Sequence, residues 1–284
     1  MSNGLNVLLN YGLILGNYGL PAMGIQGAAI GTICSHGFAV LAMFSILSAG
    51  WVHGVRPTLR VQGLDIPLAR DLFRIGAPAA LDMIVLNAGF LSIVGMLGRI
   101  DQAAVAAHGI GLRIQALAFV PGMSVSQATG AMVGNALGAD DIDEARSVLR
   151  SAMVLCVGIM STIAALILWQ APGIVALFDV PVDTDIGAFA VQWMRILGWC
   201  MPIVGAWIAF VGLFQGSGAT RISLRINAAV TFLIQIPMSW ILGFPMGLGA
   251  WGVWFAFPAS FGVKAVLGWF EYRRDKWART GETV

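Results

Sequence analysis

The chain has 284 residues, of which 58% are hydrophobic and only 11% charged, with a formal net charge of +2. Soluble globular domains carry roughly 25% charged residues, so this composition cannot cover a water-facing surface with polar groups and excludes an ordinary soluble domain. The net charge says little by itself, whereas its distribution along the chain says a good deal.

A membrane-spanning helix needs about 20 mostly apolar residues. The first apolar run, Leu5–Gly16, falls short: a helix from Met1 to Gly16 would extend about 24 Å at 1.5 Å per residue, against a hydrocarbon core of about 30 Å. It is expected to be a cut or late-starting helix. Seven full-length runs follow, at about Gln26–Ala49, Leu72–Leu97, Ala103–Leu137, Val148–Phe178, Gly187–Phe214, Ile222–Gly243 and Ala250–Tyr272. Their lengths exclude strands, which usually run to about 5–6 residues. The 36 glycines suit helices that approach one another closely in a bilayer.

Lys and Arg concentrate on the cytoplasmic side of membrane proteins. Of the sixteen here, twelve fall on one alternating set of loops: Arg56, Arg60, Arg70 and Arg74; Arg146 and Arg150; Arg221 and Arg225; and Arg273, Arg274, Lys276 and Arg279. The opposite set holds Arg99, and Arg113, Arg195 and Lys264 lie within helices. This asymmetry predicts an even number of helices with both termini cytoplasmic. Five prolines, Pro78, Pro121, Pro202, Pro237 and Pro258, fall inside the helical runs and predict kinks. Cys34, Cys156 and Cys200 sit in apolar runs without metal or disulfide spacing and read as small buried hydrophobes.

Two stretches match at an offset of 225 residues, GIQGAAIGTICSHG from Gly24 and GAWGVWFAFPASFG from Gly249. Gly24, Gly27, Ser35 and Gly37 align with Gly249, Gly252, Ser260 and Gly262. By the charge rule both helices run from outside to inside, which predicts a parallel repeat, as in transporters of two lobes related by an axis along the membrane normal. The expected fold is therefore an all-α polytopic membrane protein: a six-helix C-terminal lobe plus two helices of an N-terminal lobe, with roughly four helices of that lobe missing. The expected boundaries are 1–49 for the last two helices of the N-terminal lobe, 50–71 for a cytoplasmic inter-lobe linker, 72–272 for the C-terminal lobe and 273–284 for a cytoplasmic tail.

An ionisable group inside a bilayer costs about 2.5–3.5 kcal/mol on insertion scales, so each is a functional candidate. Asp82 is the acidic residue well inside an apolar run. It reads either as a contact for a coupling ion or cationic substrate or as a structural charge, and Arg113 on the next helix is its expected partner. His108 titrates near physiological pH when unperturbed and reads as a pathway or a packing residue. Asn87, Gln115, Asn227 and Gln235 either line a polar cavity or join helices. Lys264 is expected to snorkel to the headgroups, and Arg195 to do likewise on the outer side or to face a lumen. Trp193, Trp199, Trp207, Trp251 and Trp254 suit an interfacial belt or stacking on aromatic cations. Catalytic constellations are absent: there is no Gly-x-x-x-x-Gly-Lys loop, no His-Glu-x-x-His and no nucleophile elbow. Neither an enzyme, a cofactor, a metal site nor a nucleic-acid partner is expected.

The runs RIGAPAALDMIVLNAGFLSIVGMLG (Arg74–Gly98) and AAVAAHGIGLRIQALAFVPGMSVSQATGAMVGNALGADDIDEAR (Ala103–Arg146) resemble the multidrug and toxic compound extrusion (MATE) family. The matching features are Gly76–Pro78, Ala106–His108, Pro121–Gly122, Gln127–Ala128 and Val133–Ala139. The resemblance implies a twelve-helix secondary transporter of two six-helix lobes, of which this chain holds about helices five to twelve. It also implies ion-coupled antiport, with sodium or proton as coupling ion, exporting small organic and often cationic compounds from a bacterial inner (plasma) membrane. The implied partners are membrane lipids, the substrate and the missing N-terminal lobe helices. Asp82 lies before the position, near Leu86 and Asn87, at which relatives carry a functional acidic residue. The alternatives are a lipid-linked oligosaccharide flippase of related two-lobe fold and a non-transporting remnant or assembly subunit.

Overall fold

The computed structural model describes residues 2–51 and 65–278. The described residues form helices and turns without strands, and seven helices are long and apolar enough to cross a membrane. The chain divides into two units, 1–65 and 66–284.

The first unit is a helical hairpin of α1 (Ser2–Leu15) and α2 (Gly24–Ser48). Its turn carries Gly16, Tyr18 and Gly19 at positive φ, and the Met23 N–H donates to the Leu13 carbonyl at 2.8 Å. Gly27 lies directly against that same carbonyl, where a side chain would not fit.

The second unit contains α3 (Ile66–Leu97), α4 (Gln102–Gly138), α5 (Ile142–Ala176), α6 (Asp185–Gly216), α7 (Thr220–Val230), a π-helical turn at Thr231–Gln235, α8 (Ile236–Gly243) and α9 (Gly249–Arg273). Three N-termini are fixed by side-chain caps. Asp101 accepts from the Ala103 N–H at 2.8 Å, Asp141 from Glu144 at 2.8 Å and Thr184 from Gly187 at 3.2 Å. The hairpin of α8 and α9 repeats the contact seen in the first unit. Leu248 N–H donates to Leu242 O at 3.1 Å, and a Cβ on Gly252 would meet that oxygen at 2.6 Å. Met23 and Leu248, like Gly27 and Gly252, stand at the offset of 225 that relates the two sequence stretches.

Helix α6 is the axis of the second unit, buried along most of its length and packed against α4, α5 and α9. Gly198, Gly205 and Gly212 recur every seven residues, or two turns. Cβ atoms there would meet the Leu168 side chain at 2.8 Å, the Cys156 carbonyl at 2.8 Å and the Ser126 carbonyl at 2.6 Å. Small residues at these crossings let backbones approach, the form of packing that substitutes for the hydrophobic effect within lipid.

Several expectations change. The linker placed at 50–71 is in part helix, because α3 begins at Ile66. Its first turns, with Arg70, Asp71 and Arg74, are polar but helical, and 32 residues reach about 48 Å, well beyond the hydrocarbon core. Arg56 and Arg60 lie outside the described residues, as does Arg279 of the tail. The tail to 278 belongs to the lobe: Asp275 pairs with Arg146 at 3.1 Å, and the buried Trp277 donates to the Tyr272 carbonyl at 3.0 Å. Cys34 is exposed whereas Cys156 and Cys200 are buried. The run read as Ile222–Gly243 is interrupted by the π turn, and the one break in helical backbone that the structure marks falls at Gln170, beside Pro172.

Gly212→Ala presses a methyl onto the Ser126 carbonyl, an overpacking expected to cost about 1–3 kcal/mol. Gly262 has nothing within 4 Å of its Cβ position, so Gly262→Ala is expected to be neutral or to stabilise by up to about 1 kcal/mol through helix propensity. Thermal melts of the purified variants in detergent check the contrast.

Candidate functional site

Polar side chains recur every fourth residue along the penultimate membrane segment: Ser223, Asn227, Thr231, Gln235 and Ser239. All five are buried. An α-helix turns once per 3.6 residues, so a spacing of four drifts around the helix. The π turn at Thr231–Gln235 is wider and offsets part of that drift. One face of this segment thereby presents a file of hydroxyl and amide groups to α3 and α9.

Asp82 on α3 meets this file and is 6% exposed. One carboxylate oxygen accepts from Ser223 Oγ at 2.7 Å and the other from Asn227 Nδ2 at 2.6 Å. Both carboxyl oxygens are thereby hydrogen-bonded to neutral groups of one helix. Thr220 Oγ donates to the Ile75 carbonyl at 2.9 Å, holding the start of α7 to α3 two turns below Asp82. One turn above Asn227, Thr231 Oγ1 accepts from Lys264 Nζ at 3.4 Å. Lys264 comes from α9, is 1% exposed and lies 4.8 Å from the centre of the Phe261 ring, a cation–π contact. One turn further, Ser260 Oγ donates to Gln235 Oε1 at 3.2 Å, and Ser239 Oγ to the Val253 carbonyl at 3.1 Å. Gly89 of α3 lets its backbone reach this region: a Cβ there would touch Thr231 Cγ2 at 3.0 Å.

Asp82 and Lys264 are the buried charged residues of the described lobe. They attract one another electrostatically but form no direct ion pair within 4.0 Å. An isolated buried charge is strongly unfavourable, and an opposite charge with hydrogen bonds makes it tolerable. Asn227 Oδ1 is buried without a hydrogen-bond partner. The centre thus contains one carboxylate, one ammonium, one unused amide oxygen and several hydroxyls.

Of the residues singled out from sequence, the fold brings Asp82, Asn227 and Gln235 together. Four others stand elsewhere. Arg113 is exposed on α4, and Ser223 and Asn227 take the place expected for it beside Asp82. Asn87 is exposed and donates to the Met83 carbonyl of its own helix at 2.8 Å. Gln115 is buried on α4, its Oε1 without a partner. His108 is buried in an aromatic cluster, its ring 5.2 Å from Trp193 and 6.4 Å from Trp254. Trp193, Trp207 and Trp254 are therefore interior rather than belt residues. Trp199 and Trp251 are exposed and, with Arg195, line a cavity of about 820 Å³ between α6 and α9. Lys264 does not snorkel. It lies nine residues before Arg273, about 14 Å along the helix, farther than its stem extends. That distance and the fourfold spacing of Ser223 to Ser239 are the sequence signals from which Ser223, Thr231 and Lys264, absent from the sequence reading of the site, could have been found. Among the described residues no three His, Cys, Asp or Glu groups are placed to hold a metal ion.

Seven helices long and apolar enough to cross a membrane, joined at small-residue crossings, define the chain as an integral membrane protein. It matches the MatE sequence model over residues 78–241 and belongs to the MatE family of membrane transporters. It is 32% identical over 273 residues to the multidrug resistance protein NorM of Burkholderia vietnamiensis, covering 93% of this chain and 57% of that protein. It is 28% identical over 281 residues to the probable multidrug resistance protein NorM of Brucella suis biovar 1 (strain 1330), covering 95% and 58%. The chain thus spans a little over half the length of the curated relatives it matches. A solved outward-facing multidrug resistance MATE family transporter of the MOP superfamily superposes with a TM-score of 0.89 at 23% identity, over 96% of this chain and 60% of that one. A MATE structure in the bent conformation gives 0.84 at 23%, over 99% and 61%. These two share the fold.

Asn227→Ala removes a charge-assisted hydrogen bond from a buried carboxylate. It is expected to cost about 1.5–3 kcal/mol, against a smaller loss for Gln115→Ala, whose Oε1 has no partner to lose. Thermal unfolding in the same detergent compares them.

Proposed function

We propose that the chain carries the C-terminal lobe of an ion-coupled exporter, an antiporter of small organic and often cationic compounds driven by a proton or sodium gradient, with Asp82 as the coupling carboxylate. The observation that carries this reading is the one buried acid among the described residues, held by two neutral donors and near a buried lysine, in the interior of a helix long enough to cross a membrane. An intramembrane carboxylate of this kind is costly. Its free energy changes when a cation or proton binds, and that change is what coupling requires: a ligand shifts a conformational equilibrium only through its different affinity for the two states.

The names of the relatives, multidrug resistance proteins, support small organic compounds as substrates. The alternation of basic loops supports cytoplasmic termini, and bacterial relatives support the inner membrane. The remaining partners in this reading are membrane lipids and the helices that complete the first lobe. The π turn followed by Pro237 places a deformable joint beside the charged centre. Charge changes at Asp82 and bending of this segment are therefore adjacent events, as alternating access requires. No catalytic chemistry is assigned to the chain.

The test expresses the protein from its native locus in cells lacking other efflux pumps. Accumulation of a fluorescent lipophilic cation is followed while pH and sodium gradients are imposed separately. The wild type is expected to lower accumulation when a driving gradient is present. Asp82→Asn is expected to bring gradient-driven efflux to the level of cells without the protein. Unchanged efflux and unchanged gradient dependence in Asp82→Asn would remove Asp82 from the coupling step.

A further inference from the structure

We infer that Lys264 is a built-in cation that holds the place a sodium ion would take opposite Asp82, so that this lobe exchanges a proton and excludes sodium. The inference rests on the reading of Asp82 as the coupling carboxylate and adds which ion it takes.

The first part of the case is the count of charges. Asp82 is the buried carboxylate of the lobe and Lys264 its buried ammonium. The groups facing them from every packed element are otherwise neutral or remote. Helix α7 presents Ser223 and Asn227, and the π turn presents Thr231 and Gln235. Helix α9 presents Lys264 itself with Ser260 and Phe261. Helix α6 brings Cys200, close enough to act electrostatically on Lys264. Arg221 and Arg225 of α7 and Arg74 of α3 are exposed. A sodium ion entering this centre would meet an ammonium already present and, among the described residues, no second buried carboxylate to balance it. Like charges sharing one counter-ion oppose each other.

The second part is the donor set. Hard cations take oxygen ligands. Asp82, the unpartnered Asn227 Oδ1 and Thr231 Oγ1 are oxygens of that kind, and Lys264 Nζ already sits on Thr231 Oγ1 at 3.4 Å. Removing the ammonium frees the Thr231 hydroxyl, one turn from the unpartnered Asn227 Oδ1 and from the carboxylate that Asn227 holds, and an ion can take its place. A proton needs none of this. It adds to one oxygen of the Asp82 carboxylate, which becomes a neutral acid with one O–H donor and one remaining acceptor. Rotation of the Asn227 amide then offers Oδ1 to that new donor. In this step Lys264 is the ammonium in contact with Thr231 Oγ1 and the Phe261 ring. No other group gains or loses a proton, and the proton leaves by the reverse step.

The test uses the purified chain in lipid nanodiscs, with sodium itself as the probe against choline at equal ionic strength. Radiolabelled sodium retention and thermal stability are both read. Wild type is expected to retain no sodium and to melt at the same temperature in both salts. Lys264→Ala is expected to retain sodium and to melt about 2–4 °C higher in sodium than in choline, and Asp82→Asn combined with Lys264→Ala to lose both effects. Lys264→Met, which keeps the bulk of the stem, serves if the alanine variant does not fold. Sodium retention by wild type that disappears in Asp82→Asn would overturn the inference. So would an absence of sodium binding in both folded Lys264 variants. Transport driven by a sodium gradient alone would overturn it too, while leaving Asp82 as the coupling group. Gradient-independent transport would instead sink the coupling role, with the binding contrast still testing Lys264.

Discussion

The Asp82 carboxylate is the constraint around which the lobe is arranged. It lies inside a helix that crosses apolar surroundings, and burial of an unpaired carboxylate is among the most costly things a fold can do. Three helices meet that demand. Helix α7 supplies Ser223 and Asn227 as donors, α9 supplies the opposing charge of Lys264, and α3 holds Asp82 itself. Replacing such a centre by apolar residues often leaves stability unchanged or improves it, whereas removing one partner is strongly destabilising. Stability alone therefore does not account for a buried acid and a buried lysine here.

The close approach that the centre requires comes from small residues. Gly89 brings α3 against Thr231 and Gln235, and Gly252 brings α9 against the Leu242 carbonyl. On the other side of the lobe the glycines of α6 draw α4 and α5 together in the same way. Within lipid there is no hydrophobic drive between helices, so van der Waals fit and a few interhelical hydrogen bonds hold the bundle. The polar file from Ser223 to Ser239 belongs to that economy, and the π turn keeps its members on one side while leaving a segment that bends.

The sequence made the helices legible because each is long and apolar, and seven of them stand where hydropathy and length put them. The family was legible from Gly76–Pro78 through Ala139. Faces were not. A helix apolar all round carries no stripe that tells buried from exposed, so Asn87 and Arg113 read as equals of Asp82. Five residues past Asp82, Asn87 is rotated about 140° around the helix and points away from the centre, whereas Asn227, four past Ser223, stays within about 40° of it. The place of Lys264 near the basic end of its helix suggests snorkelling, whereas the side chain is buried in the lobe. Its distance from Arg273, about 14 Å along the helix, is longer than a lysine stem. Pairings across helices, such as Asp82 with Asn227, are 145 residues apart in sequence and become visible only when the helices are packed.

The central claim is that Asp82 and Lys264 form one charge-balanced unit across α3 and α9. A double-mutant cycle on thermal or denaturant stability, with Asp82→Asn, Lys264→Met and the pair, measures it directly. The account predicts that each single change destabilises and that the double change costs less than their sum, by a coupling of about 0.5–3 kcal/mol. Strict additivity of the two changes would show that the charges do not depend on each other and would contradict it.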